Sequence, residues 1–160
     1  MSYKIFTIPA LAILTAFSGI NFASAEEWKF AIEEIPGSIT DAYAQEFKRI
    51  IEEKTAGDVT VSVYPMGSLG TSTDTVDQAA DGTIQFTTLS IGNLGAIVPE
   101  SQIFLLNYIM PDDEAITRRL LAESPVIYKE LAADFAHKGL KLSAAYSHGP
   151  QIWTTNREIR

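Results

Sequence analysis

The sequence predicts an α/β domain with a mostly parallel sheet flanked by helices. Three observations carry this. Apolar residues alternate with polar ones over 28–32 and again at Val59, Val61 and Val63. Between those stretches, Ala44, Phe47, Ile50 and Ile51 fall three and four apart, which is one face of a helix. The links are short and marked by Pro36-Gly37, Gly57 and Pro65 with Gly67. Strand, helix and strand in that order make a βαβ unit, with parallel strands and a right-handed crossover.

Taken in order, the first strand ends at Glu33. Ser38, with Asp41 three residues later, reads as a helix start of the capping-box type, and Gly57 is placed to end that helix. After the valine strand, Thr71, Ser72 and Thr73 offer capping hydroxyls to a shorter helix with Val76, Ala79 and Ala80 on one face, closed by Gly82. A third strand is expected over 83–89. It opens into a polar, glycine-punctuated loop of Ser90, Gly92, Asn93 and Gly95. In an open α/β sheet, ligands bind in the crevice beyond the carboxyl ends of strands, so this loop is a candidate crevice wall.

Beyond the loop, residues 103–109 read as buried strand or irregular backbone. Pro111-Asp112-Asp113-Glu114 begins a helix with acids in its first turn, where the helix dipole favours them. Ser124-Pro125 restarts a helix with Val126, Leu131 and Phe135 facing inward and Lys138-Gly139 at its end. Leu140, Leu142 and Ala144 form a further expected strand running to Tyr146.

The first 25 residues fit a secretory signal peptide: Lys4 precedes an almost wholly apolar run from 5 to 17, and Ala23-Ser24-Ala25 is a small-residue cleavage pattern. Cleavage leaves 135 residues from Glu26 and moves the net charge from −8 to −9, because Lys4 is lost. An acidic surface argues against nucleic acid and anionic lipid as partners, and no insertion into the membrane is expected after cleavage. The chain has no cysteine, so disulfides, thiolate metal sites and a cysteine nucleophile are unavailable.

Catalytic constellations are weak. His137 and His148 lie on different elements and do not form a metal-ligand pattern. Gly67-Ser68-Leu69-Gly70 has neither the spacing of a nucleophile elbow nor the lysine of a phosphate loop. Three acids at 112–114 read as a solvated helix cap. No enzyme, metal or cofactor is expected.

The order of elements, with several local runs, resembles the DctP-type extracytoplasmic solute receptors of tripartite ATP-independent periplasmic (TRAP) transporters. The runs are Trp28-Lys29-Phe30-Ala31, the helix-to-strand stretch from Phe47 to Val59, Val63-Tyr64-Pro65-Met66-Gly67-Ser68-Leu69-Gly70, and Ala80-Asp81-Gly82-Thr83-Ile84-Gln85-Phe86. The resemblance implies the two-lobe periplasmic-binding-protein fold, in which two α/β lobes close on a small organic acid or related solute. The loaded receptor then delivers its solute to TRAP membrane permease subunits. It also implies that 26–148 is the N-terminal lobe, that 149–160 crosses toward a second lobe, and that the chain is truncated before the arginine that usually clamps a ligand carboxylate. Where many members carry a cleft arginine, this chain has Gln151, which cannot supply the same charged grip. That departure disfavours a simple dicarboxylate and suits a keto acid, an amide-bearing or sugar-acid ligand, or a less charged solute.

Six residues form the expected ligand site: Glu33 after the first strand, Ser68 after the second, Ser90 and Asn93 after the third, and Gln151 with Trp153 on the crossing segment. Each has a plainer reading. Ser90 and Asn93 can simply satisfy turn backbone, and Trp153 can belong to a core. A glutamate repels an anion, so Glu33 implies a ligand cation, a bound metal or water, or no contact. The expected function is a periplasmic solute receptor; the alternatives are an inactive fragment of one and a secreted hydrolase.

Overall fold

A computed structural model of the chain describes residues 25–149. The expected signal segment before residue 25, and Gln151, Trp153 and the expected crossing beyond Gly149, lie outside the described residues.

Strand β1 (Glu26–Ile32) is central in a three-stranded sheet of order β2-β1-β3. Strand β2 (Val59–Tyr64) pairs with it in parallel, from Glu26 opposite Val59 to Ala31 opposite Tyr64. Strand β3 (Phe86–Thr88) pairs in parallel on the other side, with Phe30 opposite Phe86 and Ile32 opposite Thr88. Both neighbours run parallel to β1, as a helix between successive strands requires.

Helix α1 (Ile39–Lys54) starts at Ser38, whose hydroxyl accepts from the Asp41 amide. The Asp41 carboxylate reaches back one residue further than a strict capping box, to the Gly37 amide at 2.7 Å. Ala44 is fully buried and sits with Phe30, Ile32 and Val61 in the main core, which Phe47, Ile51 and Phe86 complete. The aromatic rings interlock there: Phe47 meets Phe30 edge-on at 5.3 Å and Phe86 at 4.9 Å between centroids. Helix α2 (Ser72–Ala80) has a complete capping box between Thr71 and Asp74.

Past α2 the structure departs from expectation in several places. The third strand is three residues long rather than seven. The Ile84 amide bonds the Gln78 carbonyl of α2, and the Gln85 side chain takes the place of backbone by accepting from the Lys29 amide at 2.8 Å. The loop after it is a one-turn helix, α3 (Ile91–Leu94). Residues 103–109 are not a buried strand: a 3-10 helix spans Pro99–Leu105, residues 106–109 are irregular as the second reading has it, and Leu105 and Leu106 are more than half exposed. Its inward residues are Val98, Ser101 and Phe104, every third position, as a three-residue turn dictates.

Helix α4 (Glu114–Glu123) is capped by the Asp113 side chain, which accepts from the Ile116 amide. The following helix is not uniform but passes from a π-helical stretch, Val126–Leu131, into α5 (Ala132–Ala136), and Val126 is exposed rather than inward. Leu131, Phe135 and Val98 form a second core, against which Leu140 and Leu142 pack. The expected strand over 140–146 is absent from the sheet. Its alternating leucines are satisfied by that second core, while among the described residues no amide from 141 to 144 donates to a protein acceptor.

Candidate ligand-binding site

The carboxyl ends of the strands converge on Glu33, the first residue beyond β1. Its side chain is half-buried and receives donors from two other elements. Oε2 accepts from the Ser90 amide at 2.7 Å. Oε1 accepts from the Asn93 Nδ2 amide and from the Ser72 hydroxyl. Ser90 is the residue before the first turn of α3, Asn93 lies within that turn, and Ser72 opens α2.

The local sequence explains the convergence. β1 and β3 end in register at Ile32 and Thr88, so Glu33 and Ser90 leave the sheet side by side. The turn of α3 lifts Asn93 back over the same carboxylate, with the Asn93 amide bonded to the Ser90 carbonyl at 3.0 Å. Thr71 provides the cap of α2, which leaves the hydroxyl of Ser72 free for Glu33. Each carboxylate oxygen can accept two bonds. Oε1 has both positions filled by protein groups, and Oε2 has one filled.

Three of the six expected site residues, Glu33, Ser90 and Asn93, are thus brought together. Ser68 is exposed in the turn after β2, where its amide donates to the Pro65 carbonyl; no bond joins it to the Glu33 cluster. Ser72 is the member of this cluster that sequence reasoning missed. The signal was present in three consecutive hydroxyl residues at a helix start that needs only one cap.

A second constellation lies over the first turn of α1. Tyr146 stacks on Tyr43 at 5.4 Å and 22°, and the His148 ring lies 5.3 Å from Tyr146. His148 Nε2 is 3.2 Å from the hydroxyl of the buried Thr40. Burial raises the Tyr146 hydroxyl above its usual pKa, with the Thr40 hydroxyl opposing. His148 is therefore anchored to the domain just before Gly149. His137 ends α5, exposed. Among the described residues no group of three His, Cys, Asp or Glu is arranged to hold a metal ion, and no helix is long and apolar enough to cross a membrane.

The family model for bacterial extracellular solute-binding protein, family 7 (DctP), matches residues 30–160. The chain belongs to that family. It is 33% identical over 159 residues to the ectoine-binding periplasmic protein TeaA of Halomonas elongata, covering 99% of this chain and 46% of TeaA. It is likewise 33% identical over 155 residues to the ectoine/5-hydroxyectoine-binding periplasmic protein UehA of Ruegeria pomeroyi, covering 96% of this chain and 45% of UehA. The high-resolution structure of the Halomonas elongata ectoine-binding protein superposes with a TM-score of 0.69 and 36% identity, over 74% of this chain and 38% of that one. The chain thus spans under half the length of the DctP-family relatives it matches. The three-stranded parallel sheet with its helices corresponds to one lobe of a TRAP solute-binding protein.

Proposed function

We propose that this DctP-family chain supplies the first-lobe wall of a periplasmic receptor that captures a small organic acid or related solute. The receptor passes the solute to a TRAP membrane permease, and 26–148 is the lobe that does the recognising. The observation that carries the reading is the Glu33 carboxylate, held at the strand-end edge by Ser72, Ser90 and Asn93 with one acceptor position left on Oε2.

A carboxylate fixed in this way repels a second carboxylate and attracts a charged N–H donor; hydrogen bonds of that kind are the strong ones. The solute class it favours carries a cationic or amide-like nitrogen alongside its acid group, rather than two carboxylates. Ectoine, for which TeaA and UehA are named, is a compact ring zwitterion of that description.

The test is calorimetric titration with ectoine, 5-hydroxyectoine, succinate and glucuronate, on the wild type and on Glu33→Gln. The expected result is binding of a zwitterion that weakens by about tenfold or more in the variant, as loss of a charged hydrogen-bond acceptor implies. Binding of succinate that is unchanged or tighter in Glu33→Gln would remove Glu33 from the site and the zwitterion from the proposal.

A further inference from the structure

Among the described residues, β2 is an edge strand whose partner-free side is turned away from β1. Backbone groups at even positions face β1: the Asp58 carbonyl accepts from the Glu26 amide, and the Met66 amide donates to the Glu34 carbonyl. Backbone groups of successive strand residues point to alternate sides, so Val59, Val61 and Val63 turn their amides outward. Side chains at the end of α1 meet the first two. The Val59 amide donates to the Thr55 hydroxyl at 3.2 Å, and the Val61 amide donates to Glu52 Oε1 at 2.9 Å. Thr55 is itself fixed by donating to the Ile51 carbonyl at 2.9 Å. The Val63 amide, one step further along, receives no such cap among the described residues.

The strand so covered is Val-Thr-Val-Ser-Val-Tyr, which combines strong strand propensity with no charged side chain, proline or glycine. An uncharged segment of that kind on a sheet edge is a template for pairing with another chain. Nothing in it repels its own copy, although each whole chain carries a net charge of −8. Two copies related by a two-fold axis lay the same segment antiparallel against itself, with outward amides meeting outward carbonyls.

We propose that the outer edge of β2 is a strand-pairing surface for a second copy of this chain, held closed by Glu52 and Thr55. The two side chains occupy amides that a pairing strand needs. A carboxylate also offers acceptors without a donor, so Glu52 cannot pass the ladder on to a further chain. Both guards sit at the last turn of α1, and they reach the edge only while that turn is formed.

The test needs no solute, so its failure is distinct from failure of the receptor reading. Sedimentation equilibrium compares wild type, Glu52→Ala/Thr55→Val, the same double variant with Thr60→Lys added, and Gly37→Ala, each first shown to be folded by circular dichroism. The double variant is expected to move toward about twice the wild-type mass as concentration rises. Thr60 is exposed on β2, and a lysine there is expected to return the mass to that of wild type. Gly37→Ala strains a turn away from β2 and is expected to match wild type. A folded double variant with the wild-type mass overturns the proposal. So does a dimer that survives Thr60→Lys, because its contact then lies elsewhere, and so does equal association of Gly37→Ala, because lost stability then accounts for it. Where the double variant does not fold, Glu52→Ala alone is read by the same criteria. In wild type, amide exchange at Val59 and Val61 is expected to be at least about tenfold slower than at Val63. Equal rates would show the edge unguarded and overturn the proposal without any variant.

Discussion

The Glu33 carboxylate accepts from the backbone amide of Ser90 across 57 residues of sequence, and this single 2.7 Å bond ties the end of β1 to the start of α3. Removing the acceptor leaves the Ser90 amide, the Asn93 side chain and the Ser72 hydroxyl without it. Glu33→Ala is expected to cost about 1 kcal/mol in urea unfolding, because water can replace the acceptor at the exposed Ser90 and Asn93 and less readily at the half-buried Ser72. Glu33→Gln keeps one carbonyl acceptor and is expected to cost less. Equal midpoints for wild type and Glu33→Ala would show the cluster to be energetically idle.

Glu52 offers a second test of a helix side chain serving a strand. Its Oε1 accepts from the Val61 amide at 2.9 Å, on the edge of β2 away from β1. Val61 is 1% exposed, so water does not replace that bond without rearrangement. Glu52→Ala is expected to lose about 1–3 kcal/mol, with Glu52→Gln recovering most of it. The neighbouring Lys48–Glu52 ion pair, at 3.7 Å on the surface, contributes little. Lys48→Ala should therefore leave the chemical-denaturation midpoint nearly unmoved.

Gly139 and Gly37 both have positive φ, +77° and +85°, but their surroundings differ. A Cβ at Gly37 meets nothing within 4 Å, whereas one at Gly139 lies 3.0 Å from the backbone carbonyl oxygen of Ala80. Gly37→Ala is expected to cost about 1 kcal/mol of backbone strain. Gly139→Ala should cost clearly more, because a backbone oxygen cannot swing aside, and it should loosen the join between α2 and α5. Thermal melts of the two variants side by side give the comparison.

The capping box of α2 predicts an acid limb of stability. The backbone amide of Thr71, and then its hydroxyl, hold the Asp74 carboxyl below its ordinary value of 3.8. A folded value below the unfolded one means that the stabilisation is present above about pH 4 and is lost as pH falls through the folded value. Circular-dichroism melts between pH 6 and pH 2 should show a shallower acid decline in Asp74→Asn than in wild type. Parallel declines would assign acid sensitivity to other carboxylates.

Much of the first half was legible because its periodicities coincide with what the residues pack against. Val59, Val61 and Val63 alternate on a paired strand, and Ala44, Phe47 and Ile51 face one core. The reading failed where a side chain did backbone work or where a period served another element. Gln85 extends the sheet with its amide oxygen, so the strand is shorter than its composition suggests. Leu140 and Leu142 alternate like a strand but pack against helices without a ladder. In the strand-end cluster, the grouping of Glu33, Ser90 and Asn93 was legible because chain order places all three just past strand ends. Ser72 escaped notice because hydroxyls at a helix start already have a capping role.

Glu33 uses only the main-chain amide of Ser90, while it engages the side chains of Ser72 and Asn93. The Ser90 hydroxyl makes no capping bond to α3. Any residue other than proline supplies that amide, so position 90 is free to vary without disturbing the carboxylate's seat. If the cluster is the solute wall proposed above, library selection at position 90, with positions 72 and 93 held constant, changes what that wall presents while leaving its carboxylate in place.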